Sequence, residues 1–301
     1  MTSELASTQL ADPKWQRWLS PAKLNLGLRI LGRRDDGYHL LQTVFQLIDL
    51  ADVIHLRTRT DGRINRVSEL SGVAACDDLA VKAASALQAH TGSALGVDLH
   101  VAKQIPMGAG LGGGSSNAGT VLRALNRIWR LHLPADELAH VGAQLGADVA
   151  VFAHGCCAIG EGVGEKITPV ELPKRRFLVV CAPVHVPTGQ IFSDRRLTRD
   201  SLPSTIRGLL SDECWRNDCE TAVTERFADV AEVLAWMRAA GPAQITGTGA
   251  AVYAQVADKA TAEARLAQLP DAWRGWSVSS LSTAPEGADN DSFTGGTSPS
   301  W

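Results

Sequence analysis

The chain has 301 residues, 45% of them hydrophobic and 20% charged, with a formal net charge of -3. This is an ordinary soluble composition with length enough for one large or two modest domains, and its charge excludes a chain-wide footprint for nucleic acid or an anionic membrane, so a polyanionic ligand must be bound locally. No apolar run reaches a membrane span and no basic-then-apolar export signal opens the chain. The six cysteines fit no metal framework, so the expectation is a cytoplasmic protein with reduced thiols and no structural metal.

Residues 1–19 have no clear period and read as an N-terminal extension. From Ser20, alternation puts Ala22, Leu24, Leu26, Leu28 and Ile30 on one face of a strand, with Lys23, Asn25, Gly27 and Arg29 on the other. By that pattern alone Lys23 reads as a solvated strand lysine. A polar turn, Gly32–Gly37, leads to Tyr38 and His39, and further strands are expected over Val44–Leu50 and Val53–Leu56. Residues 77–90 predict a helix capped by Asp77 or Asp78. Val97, Leu99 and Val101 predict another strand.

The most informative stretch follows: Pro106, Met107, Gly108, Ala109, Gly110, Leu111, Gly112, Gly113, Gly114, Ser115 and Ser116. Five glycines in seven positions leave a backbone that can turn tightly and aim several N–H groups at one anion. Helical spacing resumes from Ala118 to Trp129, and a glycine loop at a helix N-terminus favours phosphate. The lysine-containing phosphate loop is excluded, because no lysine precedes Ser115. Gly108, Gly110 and Gly113 meet the dinucleotide fingerprint formally, but the expected acid after a second parallel strand is missing. A glycine loop for a nucleoside triphosphate in another fold is the third reading.

Pro134 opens a second helix that ends near Gly146, and Asp148 then enters an apolar run, Val149–Phe152, which predicts partial burial. A composition change over Lys166–Lys174 marks a domain boundary. The second half predicts a strand at Phe177–Cys181, a loop entering a helix at Pro187–Phe192, one long helix over 219–240, a glycine turn between two short strands at Ile245–Ala250, and a helix over Ala260–Leu269. The last fifteen or so residues read as a disordered tail.

The loop resembles the phosphate loop of the galactokinase, homoserine kinase, mevalonate kinase and phosphomevalonate kinase (GHMP kinase) superfamily. Pro21-Ala-Lys-Leu-Asn-Leu26 resembles its N-terminal strand and Thr246-Gly-Thr-Gly-Ala250 its C-terminal glycine turn. Asp36-Gly-Tyr-His39, Gly146-Ala-Asp-Val149, Glu161-Gly-Val-Gly-Glu165 and Asn217-Asp-Cys-Glu220 resemble the branch whose acceptor is a cytidine diphosphate alcohol. The likeness runs from about Ser20 to about Leu281.

It implies a two-domain α+β fold, with a ribosomal-protein-S5-like N-terminal domain (20–166), a ferredoxin-like α/β C-terminal domain (167–286) and the active site in the cleft between them. The extension is then 1–19 and the tail 287–301. It implies ATP as donor with Mg²⁺, Asp148 as the catalytic base, and Lys23 beside it. Loop residues Pro106–Ser116 would hold the ATP phosphates, with the Ser115 and Ser116 hydroxyls reaching phosphate or Mg²⁺. Asn25 and Thr188 would touch the acceptor, Tyr38 and Phe192 would stack on cytosine, and His39 would hydrogen-bond its edge, since a neutral imidazole can both donate and accept. Gly247, Thr248 and Gly249 would approach the acceptor's diphosphate. A monomer or weak homodimer is expected. The alternatives are another small-molecule kinase of the superfamily and a non-catalytic nucleotide-binding protein. Two departures stand out: Ala150 where the family commonly has proline, and Cys219 in place of an aliphatic residue.

Overall fold

Two long antiparallel strands, β1 (Gln16–Arg33) and β2 (His39–Arg59), form the spine of the computed structural model, which describes residues 14–211 and 215–287. Where two strands were expected after His39 there is one. The interruption read between them is a register shift at Pro21/Ala22, where β2 carries Asp49 and Leu50 unpaired against β1. Asp49 uses the irregularity to accept a hydrogen bond from Ser279 N–H.

The other edge of β2 pairs with β4 (Gly96–Ala102), which carries the short parallel strand β3 (Ile64–Arg66). Nearer the turn, β2 pairs with β5 (Ala158–Glu161), and β5 with β6 (Lys166–Pro169). In the second half, β7 (Arg176–Cys181) pairs with β9 (Ala251–Val256), and β9 with β8 (Gln244–Ile245). The last strand, β10 (Arg274–Leu281), was not foreseen. It pairs with β7 along its length and with β2 at Ser280 and Leu281, so the two halves share one hydrogen-bonded sheet.

Helices cover the N-terminal half on one side. They are α1 (Leu79–Thr91), α2 (Gly113–Ile128), α3 (Ala135–Ala143) and α4 (Ala147–His154). The Asp78 carboxylate caps α1 by accepting from Ala80 N–H, and Arg66 neutralises it. Ala83, Leu87, Val121, Leu122, Leu125 and Val149 meet the sheet residues Ile54, Leu56, Val97 and Leu99 in one core. A second core runs from β1 through the glycine loop into the second half, joining Leu24, Leu26 and Leu111 to Val179, Val223 and Val252. Ala150, buried within α4, occupies an ordinary helical position.

The single helix expected over 219–240 is two, α7 (Glu220–Arg226) and α8 (Ala228–Arg238). Phe227 breaks it by adopting an extended conformation (φ −123°, ψ 94°). Before them come the short helices α5 (Thr188–Phe192) and α6 (Ile206–Leu209), and α9 (Lys259–Leu266) precedes β10. Most of the N-terminal extension, Cys214 and the tail beyond Gly287 lie outside the described residues; the five other cysteines are free thiols. Among the described residues no helix is long and apolar enough to cross a membrane.

Candidate active site

A cleft of about 520 Å³ opens where β1, the glycine loop, the start of α4 and the Gly247–Thr248 turn converge. Lys23 lies at its floor. Strand alternation does turn Lys23 and Asn25 away from the Leu24–Leu26 face, but the glycine loop and the second half cover that side too, so both are buried. Lys23 is therefore not solvated. Its ammonium stands 3.4 Å from the Asp148 carboxylate and donates to Asn25 Oδ1. Asp148, in the first turn of α4, keeps its side chain 35% exposed toward the cleft. Asn25 is fixed by Thr43, which accepts from its Nδ2 at 2.8 Å, and by Thr246, whose Oγ1 accepts from its backbone N–H at 2.9 Å.

The glycine loop forms the opposite wall. From Gly108 to Ser115 no backbone N–H donates to another described residue, while Ser116 N–H closes the first turn onto the Gly112 carbonyl. The outward carbonyls are instead committed: Ala109 O accepts from Ala251 N–H and Leu111 O from Lys23 N–H. A row of free donors at the start of a 16-residue helix is an anion cradle. Ser115 lines the cleft. Ser116 does not: its hydroxyl is buried, donates to the Pro21 carbonyl at 2.6 Å and pairs with Ser20 Oγ, because its place on α2 faces β1.

The loop is clamped by the second half. A Cβ on Gly249 would lie 2.0 Å from the Ala109 carbonyl carbon and the Gly110 nitrogen, and one on Gly110 (φ +79°) would lie 2.1 Å from Thr246 O. Gly249 thus meets the loop's backbone and is not among the residues lining the cleft, whereas Gly247 and Thr248 are. Thr248 Oγ1 hydrogen-bonds Thr188 Oγ1 at 2.9 Å. Asn217 anchors the turn by donating to the Ile245 and Gly247 carbonyls, and Asp218 ties it to β1 by accepting from Ile30 N–H.

Phe192 lines the cleft and stacks on His39, ring centroids 5.1 Å apart and planes 26° apart. Tyr38 lies at the surface of the same end of the β1–β2 pair. It is 64% exposed at the β1–β2 turn, where its N–H donates to Asp36. His39 is buried and receives a hydrogen bond from Arg199 Nε. Burial first, then the charges of Arg199 and Arg33, lower its pKa below the usual value. Its Nε2 is the atom that accepts from Arg199.

Three contributors escaped sequence reasoning. Arg199 carries no motif. Lys103 lines the cleft at the head of α2, bonded to the buried Asp52 and to Asn117 Oδ1 at 3.2 Å. Asp52 also accepts from the Gln104 and Ile105 N–H groups and so sets the chain's approach to the loop. The one available signal was a lysine three residues before Pro106, next to a predicted anion site.

Residues 78–156 match the family described as GHMP kinases N terminal domain, and residues 205–275 match GHMP kinases C terminal. Relatives from Burkholderia multivorans and Burkholderia mallei, both named 4-diphosphocytidyl-2-C-methyl-D-erythritol kinase, are 51% identical over 276 residues, covering 89% of this chain and 94% of theirs. A crystal structure of 4-(cytidine 5'-diphospho)-2C-methyl-D-erythritol kinase matches with a TM-score of 0.76 and 31% identity, over 88% of this chain and 98% of that one. A homoserine kinase from Cytophaga hutchinsonii shares the fold, with a TM-score of 0.65 at 13% identity over 91% and 96% of the two chains.

Proposed function

This chain belongs to the GHMP kinases and, within them, to the 4-diphosphocytidyl-2-C-methyl-D-erythritol kinases, and we propose that it transfers the γ-phosphoryl group of ATP to the 2-hydroxyl of 4-diphosphocytidyl-2-C-methyl-D-erythritol, a step in non-mevalonate isoprenoid biosynthesis. The observation that carries the reading is the Lys23–Asp148 pair, 3.4 Å apart, facing a loop of unspent N–H donors across one cleft.

Phosphoryl transfer needs positioning, charge neutralisation and an oriented nucleophile more than covalent help from the protein. In this reading the N–H groups from Gly108 to Ser115 cradle the triphosphate and hold the γ-phosphorus in line with the acceptor. Asp148 accepts the proton of the attacking hydroxyl. Lys23, 3.4 Å from that carboxylate, holds it in place and steadies the hydroxyl or the moving phosphoryl group. Asn25, Thr188, Gly247 and Thr248, all lining the cleft, take the acceptor's diphosphate end, while Phe192 and Tyr38 stack on the base and His39, packed on Phe192, bonds its edge.

The donor set fits a divalent ion that travels with the nucleotide. Ser115 and Asp148 offer hard oxygen donors in the cleft, and no group of three or more metal-ligating side chains occurs among the described residues. That pattern suits Mg²⁺ held mostly by phosphates, supplying charge neutralisation there. The same reading divides the chain at 166/167 and has it act as a cytoplasmic monomer or weak homodimer.

Homoserine and mevalonate carry no base, so His39 and Phe192 favour the cytidine compound over other acceptors of the superfamily. ADP release measured with cytidine diphosphate alcohols, homoserine and mevalonate tests this directly. Turnover confined to homoserine or mevalonate would overturn it.

A further inference from the structure

Arg199 spends its guanidinium on four acceptors. Nε donates to His39 Nε2 at 3.1 Å, Nη2 to the Phe192 and Asp194 carbonyls at 3.0 and 2.7 Å, and Nη1 to the Leu197 carbonyl at 3.1 Å. One side chain thus fixes both the segment that carries Phe192 and the imidazole stacked on it. A guanidinium has five donors, no acceptor, and keeps its proton in proteins. The His39 nitrogen that faces it must therefore present a lone pair. In a neutral ring this leaves the proton on Nδ1.

Nothing else on the protein competes for that proton: among the described residues His39 makes no other side-chain hydrogen bond. The ring lies against Phe192, which lines the cleft. We propose that Arg199 locks His39 in its Nδ1–H tautomer, so that the site offers a base edge a donor and no acceptor, and thereby selects cytosine over uracil. The inference rests on the reading above that the acceptor alcohol carries a pyrimidine base.

The chemistry of the two bases makes the lock selective. Cytosine has a lone pair at N3, whereas uracil has a hydrogen there. An imidazole free to exchange tautomers would accept from uracil as readily as it donates to cytosine. A locked one sets N–H against N–H, and a buried donor without a partner is penalised. Burial and the flanking cations Arg199 and Arg33 also keep the ring neutral, so the lone pair toward Arg199 persists through physiological pH. Arg199 is a positioning residue here, acting on the ligand through His39.

The test compares kcat/KM for a cytidine diphosphate alcohol and its uridine counterpart in the wild type, Arg199→Met and Arg199→Lys. The wild type should prefer cytidine strongly. Arg199→Met frees the tautomer and should reduce that preference roughly ten- to a hundredfold, with the KM for ATP little changed. Lysine also only donates, so Arg199→Lys should keep most of the preference even if the acceptor KM rises.

Full preference in Arg199→Met, or equal loss in Met and Lys variants, overturns the inference. A wild type that does not turn over the cytidine compound refutes the functional reading, and this inference with it, before any variant is made. Nitrogen NMR of His39 in the folded wild type needs no variant. A protonated Nδ1 with a bare Nε2 supports the lock, and a protonated Nε2 overturns it.

Discussion

The Asp148 carboxylate and the Lys23 ammonium stand 3.4 Å apart, with the lysine buried and the acid open to the cleft. The asymmetry separates their duties. A buried ammonium needs partners to offset its lost hydration, and Lys23 has a second one in Asn25. Asp148 can therefore engage a ligand without leaving the lysine stranded.

Asp148→Asn follows from that geometry. The amide is isosteric and Lys23 keeps Asn25, so the variant should fold with a nearly unchanged Tm. It cannot accept the hydroxyl proton, and kcat should fall roughly 10²- to 10⁴-fold. Steady-state turnover beside a thermal melt checks both parts, and near-normal kcat would remove Asp148 from the base role.

Phe192→Ala should act on one substrate only. Phe192 lines the cleft and supports the His39 ring, and it is not part of the glycine loop that presents the free N–H groups. Its loss removes a stacking face worth about 1–2 kcal/mol, so the acceptor KM should rise by roughly five- to thirtyfold. The KM for ATP should stay within about twofold by the same reasoning. Equal effects on both KM values would mean that Phe192 supports the fold and not the base.

The sequence carried the loop well and the lysine poorly, for one physical reason. Anion binding by Gly108–Ser115 depends on local backbone freedom, and glycine count reports that directly. Burial of Lys23 depends on what lies over it, and the covering residues, near Leu111 and Gly247, come from far along the chain. Period-2 alternation named its face correctly but could not say that both faces are covered. Arg199 was illegible likewise, since its meaning lies in a partner 160 residues away. The break at Phe227 had no local signal either, because Arg226 and Phe227 are both compatible with a continuous helix.

Gly249→Ala tests how tightly the two halves clamp the loop. The added methyl would sit 2.0 Å from backbone atoms of Ala109 and Gly110, which cannot swing aside as a side chain can. The loop must shift and its N–H array with it, so the KM for ATP should rise at least tenfold, with a loss of stability of about 1–3 kcal/mol. Gly32→Ala is the control, since nothing lies within 4 Å of the new methyl and its φ is not positive. If both variants behave alike, the clamp has no influence on nucleotide binding.

One contribution to acid stability lies in a pair of histidines on β2 and β4. His55 on β2 faces His100 directly across the β4 pairing, ring centroids 5.8 Å apart, with Arg17 as its register partner on β1. Burial above all, then the neighbouring His100 and Arg17, push the His55 imidazole down to about 4, and burial lowers His100 as well. Unfolded, both rings titrate near their ordinary 6.5. Below that pH the unfolded chain takes up protons that these two rings refuse when folded, so their contribution is fully present above 6.5 and is lost as pH falls from 6.5 toward 4. His55→Gln removes one such group. Between pH 7 and pH 5 the variant should lose less stability than the wild type, by about 1 kcal/mol once solvent screening of a half-buried site is allowed for. Urea denaturation at the two pH values measures the difference. Parallel losses in the two proteins would show that His55 is protonated as easily folded as unfolded, and would place the acid sensitivity on other groups.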